Sequence, residues 1–522
     1  MAVARAWSVA VLGVEGRVVE VESDVGQGVP GVHLVGLPDT AVHEARDRAR
    51  AAVVNSGESW PNRRVTVNLS PAGLRKQGTG FDLALAASVL AGADALPKTP
   101  LEKLVLLGEL GLDGSVRPVS GVLPAVLAAV AEGFTGFVVP HANAAEARLV
   151  PEVDVLAVWC LRQLLYDLRG EPWEESAHPP QATVEPQEGR AAVSSGRLSV
   201  ATDRDLADVA GQVDARLAVE VSAAGGHHLF LHGSPGTGKT MLAERLPGLL
   251  PPLERTEALE VTTIHSVAGA LLGDYALVER PPFCAPHHTA TVPAVVGGGS
   301  HRIRPGAASL AHRGVLFLDE APEFAASVLD ALRQPLESGQ LVISRQRESV
   351  RFPARFSLVM AANPCPCAVA EDDASRCTCS AVTRRRYLSK LSGPLLDRVD
   401  LSVSMRPLSR LDLAYGAAHA ESTAAVAERV AAARARMAAR FAGEGWRTNV
   451  ELPAKLLRTR FRPEPEAAAV VEAEFGKGRL TARGMDRVLR VAWSLADLAD
   501  HPRPTADDVA TALSLKLGVL SR

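Results

Sequence analysis

One octapeptide limits what this chain can fold into more than any other stretch: Gly233, Ser234, Pro235, Gly236, Thr237, Gly238, Lys239 and Thr240 in succession. It matches the phosphate-loop pattern GxxxxGK[ST], and it lies between an apolar run, His228 to His232, and helix-forming sequence, Thr240 to Leu250. Strand, loop and helix are therefore expected in that order. The glycines let consecutive backbone N–H groups wrap around phosphates, and the helix N-terminus adds a favourable dipole. The ligand this implies is ATP, with Lys239 reaching the β- and γ-phosphates and Thr240 holding Mg²⁺.

The second half of such a site follows in the chain. Gly314 opens the run VLFLDE, a hydrophobic strand that ends in Asp319 and Glu320. Asp319 suits Mg²⁺, and Glu320 suits the role of general base for the attacking water. The apolar run Phe356 to Ala362 ends in Asn363, a polar tip beside the γ-phosphate if the sheet is of the AAA+ kind. Arg398, in LLDR, stands where many AAA+ rings place an arginine finger for the neighbouring subunit; the alternative is a surface ion pair with Asp397 or Asp400. Arg483, in LTARGMDR, suits a second sensor, with a plain surface role as its alternative.

The 522 residues exceed what one core usually supports, so roughly two to four domains are expected. A Pro-, Glu- and Ser-rich stretch without apolar period, 171–197, reads as a linker. It divides an α+β domain, 1–170, from an α/β P-loop domain, 198–408, whose short buried strands alternate with helices around a mostly parallel sheet. From about residue 409 the pattern is almost wholly helical to 522, as in a small C-terminal lid. In the first domain a helix is expected from Asp39, with Val42, Ala45, Ala49 and Val53 on one face. A further helix is expected over Ala325 to Leu336.

Net charge is only −3, so any polynucleotide site must be a local basic patch. No charge-free apolar stretch is long enough to span a bilayer, and the six cysteines fit a reducing compartment, so a cytoplasmic location is expected.

Several longer runs resemble the magnesium-chelatase-like YifB/ComM family of AAA+ proteins: VGLPDTAVHEARDR, FCAPHHT, SLAHRGVLFLDE, AANPCPC, LSGPLLDRVDL and LTARGMDRVLRVAWSLADL. The resemblance covers nearly the whole chain outside the linker. It implies a ring-forming, hexameric ATPase that acts on single-stranded or branched DNA, as a helicase or branch-migration motor in recombination or transformation. The N-terminal part is in addition similar to the Lon proteolytic domain, through KQGTGFDLALA and GELGLDGSVRPVSGVLPAVLAA. That similarity puts the nucleophile position on Gly80 and the base position on Leu123, neither of which can do the chemistry. A non-proteolytic scaffold follows, and an ATP-dependent protease is the least favoured reading. A chelatase-type motor remodelling a partner protein remains the alternative to a DNA motor.

Three further features bear on partners and metals. Leu341 to Phe352 reads as two strands joined at a basic tip, so that Arg345 and Arg347 could grip phosphates without reading sequence. Arg429, Arg436 and Arg440 fall on one helical face, either a DNA-binding stripe or a solvated surface. Cys365, Cys367, Cys377 and Cys379 form two Cys-x-Cys pairs nine residues apart; they could hold Zn²⁺, or serve as packing thiols or a redox pair. His287 and His288 are poor metal candidates, being adjacent, and are placed as contacts to a neighbour or substrate.

Overall fold

A computed structural model of the chain describes residues 3–37, 39–172, 204–271, 277–299, 303–345, 348–367, 377, 379–409, 412 and 420–517. The stretch read as a linker lies outside the described residues except for Glu171 and Pro172.

The N-terminal region is built on a hairpin, β1 (Ala4–Leu12) with β2 (Glu15–Gly26), whose antiparallel register closes at Leu12 opposite Glu15. It is extended by β3 (Gly31–Val35), β4 (Arg64–Ser70), β5 (Leu104–Leu106), a small ribbon of β6 (Glu109–Leu110) and β7 (Val116–Arg117), β8 (Gly136–Pro140) and β9 (Asp154–Val158). The ribbon aside, these strands form one mixed seven-stranded sheet in the order β3-β4-β2-β1-β5-β8-β9. The helix Thr40–Asn55 starts where Asp39 accepts a hydrogen bond from the Val42 amide at 2.9 Å. Val42, Ala45, Ala49 and Val53 on its inner face are fully buried, as their spacing predicts. Leu123 is buried in the helix Val122–Ala131, and its amide donates to the Glu146 carboxylate at 2.8 Å.

The second sheet is wholly parallel. It comprises β10 (Leu229–Gly233), β11 (Phe283–Cys284), β12 (Val315–Leu318), β15 (Ser357–Ala362) and β16 (Leu401–Met405), in the order β11-β12-β15-β10-β16. Between β12 and β15 the chain makes a separate antiparallel hairpin, β13 (Gln340–Arg345) with β14 (Glu348–Pro353). The continuous apolar runs are explained by two-sided burial: all four residues of β12 and five of the six in β15 are buried. Such a mixed α/β arrangement around parallel strands fits a P-loop fold of the AAA+ type. Because the strands run the same way, the C-terminal ends of β10, β12 and β15 meet at one edge, where ligands of open α/β sheets bind.

The helix expected over Ala325 to Leu336 is instead two, Ala326–Ala331 and Arg333–Ser338. Pro335 lacks the N–H that would continue the first helix through this point, so the chain breaks at Leu332. The C-terminal region forms the helices Thr423–Arg440, Pro465–Gly476, Ala482–Ala499 and Ala506–Leu517, in keeping with its helical pattern. Their inner faces share one hydrophobic cluster with β10, β16 and the helix Val213–Gly225, so they are packed directly onto the sheet.

The N-terminal region is in turn seated on the P-loop core. The Gly121 amide donates to the Ser266 carbonyl at 3.1 Å, and the Ser266 hydroxyl bonds the Glu146 carboxylate. Val11 and Val14, flanking the β1–β2 turn, pack against the cluster that contains Val350 of β14.

Two histidines, His228 part-buried and His265 buried, are held toward the neutral ring by their surroundings. Burial pushes His228 down to about 4, and its Nδ1 accepts from the Leu358 amide at 3.1 Å, a bond that protonation would abolish. Burial likewise pushes His265 to about 4, with its Nε2 at 3.0 Å from the Leu310 carbonyl. The unfolded chain takes up protons near pH 6.5 while the folded one does not until about 4, so stability falls as pH drops between those values. Each ring contributes on the order of 3 kcal/mol to that loss. Urea midpoints are expected to decline steadily from pH 7 to 4.5, and a flat profile would show that the rings are not held neutral.

Candidate active site

Strand β10 delivers the phosphate loop. At Gly233 an added Cβ would lie 2.2 Å from the Met405 carbonyl oxygen of β16, so only glycine lets the two strands come this close. Gly238, at φ +92°, turns the chain into the helix Lys239–Leu249 in a conformation that other residues rarely adopt. Between them Thr237 Oγ1 donates to the Ser234 carbonyl at 2.9 Å and closes the loop on itself. Ser234 and Thr237 are buried, Pro235 and Gly236 exposed.

Lys239 is folded back into the loop. Its Nζ donates to the carbonyls of Gly233 and Ser234 at 2.7 and 2.8 Å, and to Asn363 Oδ1 at 3.1 Å. Burial lowers its pKa, against the opposing pull of the Asp319 and Glu320 charges. Thr240 Oγ1 donates to Asp319 Oδ2 at 2.8 Å, which places the two expected Mg²⁺ ligands side by side. The Glu320 amide donates to the other oxygen of Asp319 at 2.9 Å. Three separate sequence segments thus converge at the edge formed by β10, β12 and β15.

Glu320 has backbone angles of +49° and +44°, left-handed for a residue with a side chain. This costs about 1–2 kcal/mol and turns its carboxylate away from the strand direction. Glu320 Oε2 lies 3.5 Å from His288 Nδ1. The His288 ring rests on His287 with centroids 4.1 Å apart, and His287 Nδ1 bonds Thr289 Oγ1 at 2.8 Å. Sequence alone places His288 only as a contact to a neighbour or substrate. Its place beside the carboxylate is set by the loop conformation, for which the only sequence sign is the polar run PHHT after β11.

The two arginines lie elsewhere. Arg398 pairs with Glu337 and donates to the Pro394 carbonyl at 2.5 Å. Neither carboxylate weighed as its partner from sequence takes that role, since Asp400 is held by Arg487 and Asp397 faces Arg483 at 3.7 Å. Arg483, 74% exposed, opens the helix Ala482–Ala499. Among the described residues neither arginine forms a hydrogen bond or ion pair with the phosphate loop, Asp319 or Glu320.

Arg429, Arg436 and Arg440 each have an acidic partner that offsets part of their charge. Arg429 bonds Glu220 at 2.8 Å, Arg436 pairs with Asp500 at 2.5 Å, and Arg440 is held by Asp497 at 2.6 Å. These charges fasten the helix Thr423–Arg440 to its neighbours. The basic hairpin does form, with Arg345 at the tip end of β13, while Arg347 lies outside the described residues.

The four cysteines do converge. The sulfurs of Cys365, Cys367, Cys377 and Cys379 all lie within 4.8 Å of one another. Burial and the neighbouring thiols push Cys365 up to about 12.

Comparison with known proteins fits this geometry. Models for "Magnesium chelatase, subunit ChlI", "Subunit ChlI of Mg-chelatase" and "Magnesium chelatase, subunit ChlI C-terminal" match residues 205–413, 21–143 and 420–516. The uncharacterized protein YifB of Escherichia coli is 39% identical over 97% of this chain and 96% of its own length. Competence protein ComM of Haemophilus influenzae is 39% identical over 99% of this chain and 98% of its own. The chain belongs to the YifB/ComM family of magnesium-chelatase-like proteins. An uncharacterized family member from Mycobacterium tuberculosis is 54% identical over 99% of both chains. Membership supports an AAA+-like ATPase with ATP and Mg²⁺ as its ligands. Among the described residues no helix is long and apolar enough to cross a membrane.

Proposed function

We propose that this chain is an ATP-hydrolysing motor that works as a ring, a hexamer by family resemblance, and remodels DNA. The observation that carries the ATPase reading is the convergence of Lys239 on Asn363 and of Thr240 on Asp319, with Glu320 alongside. Thr240 and Asp319 offer adjacent hard oxygen donors, the chemistry that Mg²⁺ requires. When bound there, Mg²⁺ neutralises charge on the phosphate oxygens. Lys239 swings its ammonium from the Gly233 and Ser234 carbonyls to the phosphates. Glu320 accepts the proton of the attacking water, His288 holds that carboxylate in position, and Asn363 orients the γ-phosphate or the water. Arg398, released from Glu337, completes the neighbouring subunit's site, and Arg483 reads the nucleotide from the C-terminal helices acting as a lid.

In this reading the N-terminal residues 1–170 are a Lon-like scaffold without protease chemistry. The hairpin β13–β14, ending at Arg345, faces the ring's pore and meets DNA phosphates. Its position immediately before β15 supports this, as does similarity to a competence protein. The match to chelatase-subunit models favours a second reading, a motor that remodels a partner protein. With either, we propose that Cys365, Cys367, Cys377 and Cys379 hold Zn²⁺.

ATP turnover measured with single-stranded, duplex and branched DNA separates the two readings, with Lys239→Ala as the inactive control. At least one DNA is expected to raise turnover several-fold. Absence of both stimulation and binding with every DNA would overturn the DNA reading and leave the ATPase reading standing.

A further inference from the structure

We propose that the four-cysteine cluster is a metal staple that sets the position of Asn363, so that ATP hydrolysis depends on Zn²⁺ bound outside the nucleotide site. This inference rests on the zinc reading above and adds a regulatory consequence to it. Between sulfurs, Cys365 to Cys367, Cys367 to Cys377 and Cys365 to Cys377 measure 2.9, 3.5 and 3.8 Å. A disulfide needs about 2.05 Å, whereas a tetrahedral site with Zn–S near 2.3 Å spaces its sulfurs at about 3.8 Å. Two of the three separations, 3.5 and 3.8 Å, match the second arrangement, the 2.9 Å contact falls between the two, and all four sulfurs lie within 4.8 Å of one another.

What the cluster joins gives it a role. On its N-terminal side Cys365 is buried and follows Asn363 by two residues, immediately beyond the end of β15. Asn363 Oδ1 is the side-chain acceptor that Lys239 meets, at 3.1 Å. On its C-terminal side Cys379 precedes Ser380, whose hydroxyl caps the helix Ala381–Leu388 by accepting from the Thr383 amide at 3.1 Å. That helix carries Tyr387, whose hydroxyl is pushed up to about 12 by burial and then by the nearby Glu323 and Glu320 charges. Just beyond it Lys390 lies 3.6 Å from Glu323, in the turn that follows Glu320. One metal would therefore tie the segment bearing Asn363 to the helix packed beside the Glu320 turn.

The chemistry balances without an oxidant or reductant: each ligating thiol gives its proton to solvent as its sulfur bonds Zn²⁺. Without the ion, Asn363 is held, among the described residues, only by its strand and by the Lys239 bond, and Lys239 leaves that bond when it turns to the phosphates. Misplacing a positioning group by about 1 Å can cost about 100-fold, and a loss of kcat of about tenfold or more is expected here with ATP binding retained. Strand β15 is held by its ladders with β10 and β12, so the fold should persist.

The test uses the full-length protein, Cys367→Ser/Cys379→Ser, Asn363→Ala and the triple variant. Zinc is measured by elemental analysis, ATP binding by a fluorescent analogue, and kcat by phosphate release. We expect about one zinc per wild-type chain, none in the cysteine variant, and at least a tenfold loss of kcat at unchanged nucleotide affinity. In the Asn363→Ala background, loss of the cysteines should cost no further activity. Absence of zinc from the wild-type protein overturns the zinc reading itself. Zinc present in the wild type, with normal kcat in the zinc-free cysteine variant, overturns the staple and leaves the zinc site standing. Equal losses with and without Asn363 show that the cluster acts through something else, and also overturn it.

Discussion

Glu320→Gln is expected to lower ATP turnover by about 10²–10⁴-fold while leaving ATP affinity within a few-fold of the original. The substitution keeps the size of the side chain and the left-handed backbone at this position, and removes only the ability to take a proton. It leaves Lys239, Thr240 and Asp319 with their present partners, because the bond between Glu320 and Asp319 uses the Glu320 backbone amide. The loss corresponds to about 3–5.5 kcal/mol of transition-state stabilisation. Lys239→Ala should behave differently, since it deletes the ammonium that two loop carbonyls and Asn363 hold in place, and so removes binding along with turnover. Steady-state phosphate release and equilibrium binding of a fluorescent ATP analogue distinguish the two. Normal turnover in Glu320→Gln would dismiss Glu320 as the base and direct attention to His288, the titratable group 3.5 Å away.

The phosphate loop and its carboxylates were legible because their information is contiguous. Eight successive residues encode the turn and the helix start, and an unbroken apolar run can end in two acids only where a buried strand reaches an edge. The same locality made the buried face of Thr40–Asn55 legible. What could not be read depends on groups far apart in the chain. The arginines of Thr423–Arg440 looked like a free basic stripe because their partners, Glu220 and Asp497, sit on other elements. The carboxylates that offered Arg398 an alternative surface ion pair are taken by Arg487 and Arg483, a competition settled only once the C-terminal helices pack on the sheet. The seating of the N-terminal region rests on Glu146, Ser266 and Gly121, polar contacts with no periodicity to announce them. The cysteine spacing left metal, packing and redox readings open, and the convergence of the sulfurs narrows them.

The largest effect on stability is expected from Asp400, a residue that touches no part of the nucleotide site. Its carboxylate is fully buried, bonded by Arg487 at 2.5 Å and by the His228 amide at 3.0 Å, with His227 Nδ1 at 3.7 Å. Burial alone would raise its pKa, yet the neighbouring His227 ring and the Arg487 charge hold it well below the usual carboxylate range. Arg487 belongs to the helix Ala482–Ala499 and Asp400 directly precedes β16, so this pair clamps the C-terminal helices to the sheet. Asp400→Asn keeps an acceptor for the His228 amide but strands the Arg487 charge in a largely buried position. A loss of about 3–5 kcal/mol is expected, against near-neutral behaviour when both partners become apolar. Urea unfolding of Asp400→Asn, Arg487→Met and Asp400→Leu/Arg487→Met tests this, since recovery in the double variant is the mark of an uncompensated charge. The sign of the pH effect separates this pair from the buried histidines. A carboxylate with a depressed folded pKa keeps its full contribution above about 3.8 and loses it only as pH falls through the lower folded value. The decline expected between pH 6.5 and 4 should therefore largely persist in the double variant, because it belongs to His228 and His265 and the opposing Asp400 and Arg487 charges on His228 leave together. A decline that vanished with Asp400 would assign the acid sensitivity to the clamp instead.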